Sequence, residues 1–443
     1  MKKFMLICAP MTSRSGYGAH ARDLIKSFME HDKYDIQVFD VPWGSTPRNA
    51  LDKNNVDDKK MLDLITRENS FQTQPDIYVD IRIPNEFQNP GKFNIGITAG
   101  IETNAVSQAW IEGCNKMDLV IVPSKHSKDG FVNALYEKIQ QLPDGQQKKI
   151  GELKLEKPIE ILFEGSDKIY RKLSTEEIDS KFFDWLNDEV PEKFAFLHVG
   201  LWGKGGYGED RKDIGTLLKT FYESFANKKK QPALILKTSG ANFSIIDRND
   251  IKKKINDIKG TFGKTKLPNL YLLHGDLTDE EMNEMYNHPK VKAHVSFTHG
   301  EGFGRPLLEA SFSGKPIIAP ISTGQADFLD KDYTIEIPHK LTKVPPNSFP
   351  KGYTNPESQW STVNYGIASR LMSDVFQNYD KYKVRGKKQM IVNRENFSFE
   401  AMKEKLVGMV DEILGDVPKQ VELKLPTLKK EPKKLKLPKL KKG

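Results

Sequence analysis

The stretch from Ser296 to Pro320 constrains this chain more than any other. An apolar run, Ala293 to Phe297, enters a turn carrying Gly300, Gly302 and Gly304, and a second apolar run, Ile317 to Ile321, closes the unit. Between them lies a predicted helix with marked ends. Pro306 suits its first turn, where a missing N–H costs nothing, and Gly314 suits the residue just past its end, where φ is usually positive. A strand, a glycine turn and a helix in this order aim backbone N–H groups and a positive dipole end into a crevice, which is a site for phosphate. The three glycines let a ligand approach the backbone closely. Glu301 and Glu309 flank the turn, and a carboxylate beside a phosphate site accepts paired hydrogen bonds from the vicinal hydroxyls of a ribose or a hexose. The alternative is a solvated loop holding two incidental glutamates.

The rest of the chain repeats the same grammar. Apolar runs at Lys3–Ala9, 36–40, 76–83, 92–98, 118–124 and 158–163 alternate with helical or polar stretches, and a second series follows at 194–200, 232–237, 269–274 and 293–321. Alternation of this kind predicts parallel sheets covered on both faces. Each series opens with a strand, a glycine loop and a helix. The first is Met11-Thr-Ser-Arg-Ser-Gly-Tyr-Gly18 with a helix from Ala19 to Met29, and the second is Leu201 to Lys212 with a helix from Asp213 to about Ala226. Arg211 and Lys212 stand at the mouth of that second helix, where they neutralise a diphosphate or form a solvated pair. Lys237 ends a strand, where open α/β sheets bind ligands. Residues 168–192 read as a crossover anchored by Phe183 and Trp185, residues 331–360 as an irregular proline-rich excursion, 360–377 as a helix, and 397–414 as a final helix.

Glu301-Gly-Phe-Gly-Arg-Pro-Leu-Leu-Glu309 resembles the signature of retaining glycosyltransferases of the GT-B fold, especially family 4, in which two glutamates are separated by seven residues with Gly-Phe-Gly after the first. The resemblance is specific over Ser296 to Pro320 and covers residues 3–415 as architecture. It implies two Rossmann-like domains facing across a cleft: residues 1–167 as the acceptor domain, 168–192 as crossover, 193–395 as the nucleotide-sugar donor domain, and 396–417 as a helix packing back on the first domain. It also implies that Glu301 takes the sugar hydroxyls, that Glu309 takes the ribose, and that backbone around Gly302, Phe303 and Gly304 cradles the donor. Gly16-Tyr-Gly18 is similar to the N-terminal glycine loop of such enzymes, although a plain tight turn reads the same way. Leu277 matches the position whose backbone touches the nucleotide base. Family members usually follow the glycine that ends the first donor-domain strand with arginine; here Leu201 stands there, and Arg211 supplies that charge from the longer loop. On the acceptor side many members carry a histidine where this chain has Thr98-Ala-Gly-Ile-Glu102. Glu102 is therefore the candidate acceptor-side catalytic group beside Glu301, its alternative being a carboxylate at a helix start. His126 reads as a helix-start residue in water.

The resemblance implies sugar transfer from a nucleotide-diphosphate sugar, with retention, by front-face attack in which a donor phosphate oxygen takes the acceptor's proton. Arg211, Lys212 and the helix near Arg305 would stabilise the departing diphosphate, with neither metal nor cofactor. Asp330-Lys-Asp332 reads as a surface turn. The acceptor is open among glycan, lipid-linked sugar, protein and modified nucleic acid. A nucleotide-sugar epimerase on the same fold, and a polyanion-binding protein with a vestigial site, are the other readings.

Composition narrows the setting. Cys8 and Cys114 are too few for a disulfide framework or a zinc cluster, and no apolar run reaches membrane-spanning length, so a cytoplasmic protein is expected. Met1 to Pro10 mimics a signal peptide, but its apolar core is short and Pro10 and Arg14 end it. The net charge of +8 sits in the tail: residues 418–443 hold ten lysines and two glutamates, leaving 58 basic and 58 acidic residues elsewhere. That tail repeats Lys-Leu-Pro, carries neither Arg nor aromatics, and is expected to be disordered. It would attract a polyanion without stacking on bases, or serve solubility alone.

Overall fold

The computed structural model describes residues 2–66, 73–141, 147–178, 181–240, 242–350 and 352–415. The lysine-rich tail, 418–443, lies outside the described residues. The first domain runs β1 (Lys3–Ala9), α1 (Gly16–His31), β2 (Tyr34–Asp40), α2 (Val56–Leu62), β3 (Ile77–Ile81), β4 (Phe93–Ile97), α3 (Gln108–Cys114), β5 (Leu119–Val122), α4 (Lys125–Val132), β6 (Tyr136–Gln141), β7 (Gln147–Leu153) and β8 (Ile159–Ile161). Six of these strands pair in the order β2-β1-β3-β4-β5-β8, all parallel. Parallel strands are buried on both faces, and their apolar runs show it. On one face Ile7, Val79, Ile95 and Ile121 pack against Leu24, Ile25 and Phe28 of α1. On the other, Val120 and Val122 pack against Trp110, Ile111 and Phe131. The polar stretch after α4 is an antiparallel hairpin, β6 with β7, standing apart from the sheet.

A linking helix α5 (Lys181–Glu189) leads to the second domain: β9 (Ala195–Val199), α6 (Ile214–Phe225), β10 (Ala233–Lys237), α7 (Ile245–Gly260), β11 (Leu270–Leu273), α8 (Asp279–Asn287), β12 (Val291–Val295), α9 (Arg305–Ser311), β13 (Ile317–Ala319), β14 (Ile335–Glu336), β15 (His339–Lys343), β16 (Gln359–Val363), α10 (Tyr365–Gln377), α11 (Tyr379–Asn396) and α12 (Phe399–Gly415). Its sheet has the order β11-β10-β9-β12-β13-β14, again parallel throughout. The chain reverses direction between β9 and β12, so a switch-point crevice opens at their carboxyl ends. Phe399, Met402, Leu406 and Val410 of α12 share the first domain's core. The architecture is the GT-B arrangement of two Rossmann-like domains across a cleft.

Several elements depart from the sequence reading. Helix α1 starts at Gly16, not Ala19, because Ser15 caps it by accepting the Gly18 N–H at 3.0 Å. The irregular excursion holds a two-stranded sheet, β15 with β16, and Trp360 belongs to β16 rather than to a helix. In the crossover, Trp185 is 45% exposed, and the buried anchors are Tyr170, Leu186 and Val190; hydrophobicity alone did not show which ring faces out. Helix α9 places Pro306 in its first turn behind Gly304, whose φ of 103° suits glycine, and Gly314 has φ 73°.

Candidate active site

A cavity of about 440 Å³ lies between the domains at the carboxyl ends of β1, β4, β9, β10 and β12. Its first-domain wall includes Arg14, Gly16, Tyr17, Trp43, Glu102 and Glu164, and its second-domain wall Arg211, Lys212, Lys237 and residues 301–306. Five cations and three carboxylates line it, a balance that favours an anionic guest.

Glu301 is the hub. Its Oε1 accepts from Lys212 Nζ at 2.5 Å and from Thr298 Oγ1 at 2.7 Å, and its Oε2 accepts from Arg211 Nη1 at 2.8 Å. Burial works against the charge, but Lys212 and Arg211 outweigh it and hold the carboxyl at about 2. Arg211 Nη1 also donates to Gly300 O at 2.9 Å, and its Nε lies 3.7 Å from Glu102 Oε1. The Arg211 carbonyl accepts the His299 N–H at 2.8 Å, which ties the long glycine loop to the turn after β12. Asp213, just past it, takes a left-handed φ of 51° and accepts from Tyr365 at 2.7 Å. Lys212 is only 7% exposed, and burial pulls its ammonium downward. Glu102 is pushed upward by burial, with Arg211 opposing.

The glycines of the turn serve a contact between domains. A Cβ on Gly300 would lie 1.8 Å from Glu102 O, and one on Gly302 1.8 Å from Ala99 O. The carbonyl of Gly302 accepts Ser124 Oγ at 2.7 Å. The first-domain backbone therefore occupies the space that Gly300 and Gly302 leave, while residues 301–306 still line the cavity.

Glu309 does not line the cavity. Its carboxylate sits behind Arg305, whose Nε donates to it at 2.9 Å, and Tyr286 OH donates at 3.3 Å. Burial raises it to about 7. Arg305 Nη1 crosses to the first domain and meets Asp23 at 2.6 Å, a pair closed off from solvent. Lys237 lines the cavity, donates to Gly275 O at 2.5 Å, stands 5.1 Å over the Phe243 ring, and is lowered by burial to about 8. Leu277 is not in the cavity wall; its carbonyl faces Arg14 Nη1 at 3.5 Å, and Arg14 Nε pairs with Asp276 at 3.1 Å across the cleft. Gly16 lines the cavity, whereas Gly18 lies beneath it, where a Cβ would come 2.3 Å from Ser13 O. His126 does stand at the start of α4, but it is half-buried rather than in water, and burial pulls its imidazole down.

Sequence reasoning missed several cavity residues, among them Arg14, Tyr17, Trp43, Tyr353 and Glu164. Tyr17 donates or accepts at Thr98 Oγ1, 2.8 Å away, and stacks on Trp43 with centroids 4.1 Å apart. Tyr353 reaches in from the second-domain excursion and packs edge-on against Trp110 at 5.0 Å. Glu164 follows β8, and its position past a strand end was the one available signal. Among the described residues no group of three or more His, Cys, Asp or Glu could hold a metal ion, and no helix is long and apolar enough to cross a membrane.

No family model matches the sequence, and no curated protein matches it. Solved structures do resemble the fold. HepE of Anabaena, solved with UDP and glucose, has a TM-score of 0.57 at 12% identity, over 93% of this chain and 100% of that one. The sucrose-phosphate synthase of Thermosynechococcus elongatus has a TM-score of 0.61 at 10% identity, over 94% and 100%. A glycosyltransferase from Rickettsia africae has 0.58 at 14%, over 94% and 99%.

Proposed function

We propose that this chain is a glycosyltransferase that moves a sugar from a nucleotide-diphosphate sugar to an acceptor, with retention of configuration. One observation carries the reading: Glu301, Arg211 and Lys212 converge at the switch point of the second sheet, on a cavity closed by the first domain. Similarity in fold to proteins solved with UDP, glucose or UDP-glucose supports the same substrate class.

The donor diphosphate would lie against Arg211 and Lys212. Arg211 spends Nη1 and Nε on Glu301, Gly300 and Glu102, and Lys212 spends one proton on Glu301, so Nη2 and two ammonium protons remain for phosphate oxygens. Glu301 would then serve two ends, aligning both cations and accepting sugar hydroxyls. In the transfer the bond from C1 to the diphosphate oxygen breaks, the acceptor oxygen bonds C1 on the same face, and the acceptor proton passes to the diphosphate. Two fixed cations stabilise the charge as it develops, which needs no metal. Glu102, at the tip of the loop after β4, faces the acceptor side. Ribose binding by Glu309 would require its carboxylate, which lies behind Arg305 outside the cavity wall, to be shared with Arg305 and Tyr286.

The test is a panel of UDP-, GDP- and ADP-sugars followed by proton NMR, with simple glycosides and water as acceptors. A product, or slow hydrolysis, that keeps the donor's anomeric configuration supports the proposal. An inverted product refutes retention, and the absence of cleavage with every donor refutes the transferase reading.

A further inference from the structure

After β8 the chain turns through Glu164, Gly165 and Ser166 toward the second domain, and the start of α12 clamps that turn. Ser166 N–H donates to Phe397 O at 3.1 Å, Phe399 N–H donates to Ser166 O at 2.9 Å, and the Gly165 N–H meets Met402 Sδ at 3.2 Å. A Cβ on Gly165 would fall 2.8 Å from Ser398 O, so the turn has no room to shift. Held this way, Glu164 is 5% exposed and lines the cavity.

Its surroundings are unlike those of the other site carboxylates. Glu301 accepts from Lys212, Arg211 and Thr298, and Glu309 accepts from Arg305 and Tyr286. Glu164 has no hydrogen-bond or ion-pair partner among the described residues. The charged and titratable groups facing it are Arg305 and Glu309 from α9, Asp23 and Tyr17 from α1, and Glu301 from the turn after β12. Arg305 is already committed to Asp23 and Glu309. Burial, with Arg305 opposing, raises Glu164 to about 8, so the group keeps its proton at neutral pH. A buried, unpartnered carboxylic acid offers one O–H to whatever enters, whereas its ionised form repels an anion.

We propose that Glu164, as a neutral acid, donates a hydrogen bond from the first-domain wall to a phosphate oxygen of the nucleotide-diphosphate donor, across the cavity from Arg211 and Lys212. The proposal rests on the donor assignment above. It makes the first domain a direct reader of the diphosphate.

Calorimetric titration of UDP, GDP and UDP-glucose into wild type and Glu164→Gln between pH 7 and 9.5 tests it. Gln keeps an N–H donor and cannot ionise. If only the acid form binds, the wild-type Kd should rise about 30-fold more than that of the variant over this range, given a starting value of about 8. Lys237 also loses charge near pH 8, but in both proteins alike, so the ratio of the two Kd values is the readout. Glu164→Asp, which retains an ionisable acid, should keep the pH dependence. A ratio that stays flat with pH overturns the proposal while leaving the donor assignment intact. An effect seen with UDP-glucose but absent with UDP assigns the carboxyl to a sugar hydroxyl and also overturns it. Failure of wild type to bind either nucleotide at any pH refutes the donor assignment and this proposal together.

Discussion

Replacing Glu301 with Gln keeps the side chain's shape and removes the charge on which the site is built. The structure sets the expected cost. Burial alone would raise this carboxyl, yet Lys212 and Arg211 hold it at about 2 against an ordinary 4.5, a difference worth about 3 kcal/mol. Lys212 would be left buried without its counter-charge. Breaking a buried ion pair typically costs roughly 3–5 kcal/mol, and the loss here is expected at that scale. The sign follows from the depressed value: the stabilisation is complete above about pH 4.5 and fades as pH falls toward 2. Urea unfolding followed by tryptophan fluorescence should therefore place E301Q about 3 kcal/mol below wild type at pH 7, with the gap narrowing below about pH 4.5. A diphosphate supplies the missing anion, so saturating UDP should raise the melting temperature of E301Q more than that of wild type. Equal stability at pH 7, or a gap that ignores pH, would refute the argument that this carboxylate organises the two cations.

Gly302→Ala and Gly300→Ala place a methyl 1.8 Å from first-domain carbonyls, so small-angle scattering should show a larger radius of gyration while circular dichroism stays unchanged; an unaltered radius would count against closure through these glycines. Lys237 carries its charge below about pH 8, so nucleotide affinity should drop as pH rises through that value, and Lys237→Met should bind more weakly at pH 7 and lose that portion of the pH dependence in titration calorimetry. The Arg305–Asp23 pair spans the domains at 2.6 Å with both side chains nearly excluded from water. A double-mutant cycle on Arg305→Ala and Asp23→Ala should give a coupling of more than about 1 kcal/mol by thermal or urea unfolding, and additive losses would contradict a shared buried pair.

What could be read in advance divides along the range of the interactions involved. The two parallel sheets were legible because each strand is a short apolar run and each helix between them has one apolar face, as with Leu217, Leu218 and Phe221 of α6. The glycine turn after β12 was legible for the same local reason. The purpose of Gly300 and Gly302 was not, since the atoms they admit belong to residues 99–102, two hundred positions away. Nothing local marked Glu164 beyond its place after a strand; its burial in the cavity wall comes from α12, which docks on its turn from the far end of the chain. Helix α11 escaped notice because its polar sequence has scarcely any apolar stripe, its buried positions being Tyr382, Gly386, Gln389 and Asn393. Strands β15 and β16 pair across a proline-rich interval, and nothing local in 344–358 announces that pairing. Arg211 and Lys212 were singled out as cations at a helix mouth, whereas the carboxylate that holds both of them emerged only from the folded chain.

The central claim is that a nucleotide diphosphate lies between the domains against Arg211 and Lys212, and binding of UDP-, GDP- and ADP-sugars to wild type and Lys212→Ala tests it most directly. The account predicts that at least one donor binds wild type and that the substitution weakens it about 10- to 100-fold, the worth of a buried charge-assisted contact, with a comparable loss for the free nucleoside diphosphate and none for the nucleoside. Binding of a nucleotide sugar that is indifferent to Lys212, or the absence of binding by every donor, would contradict it.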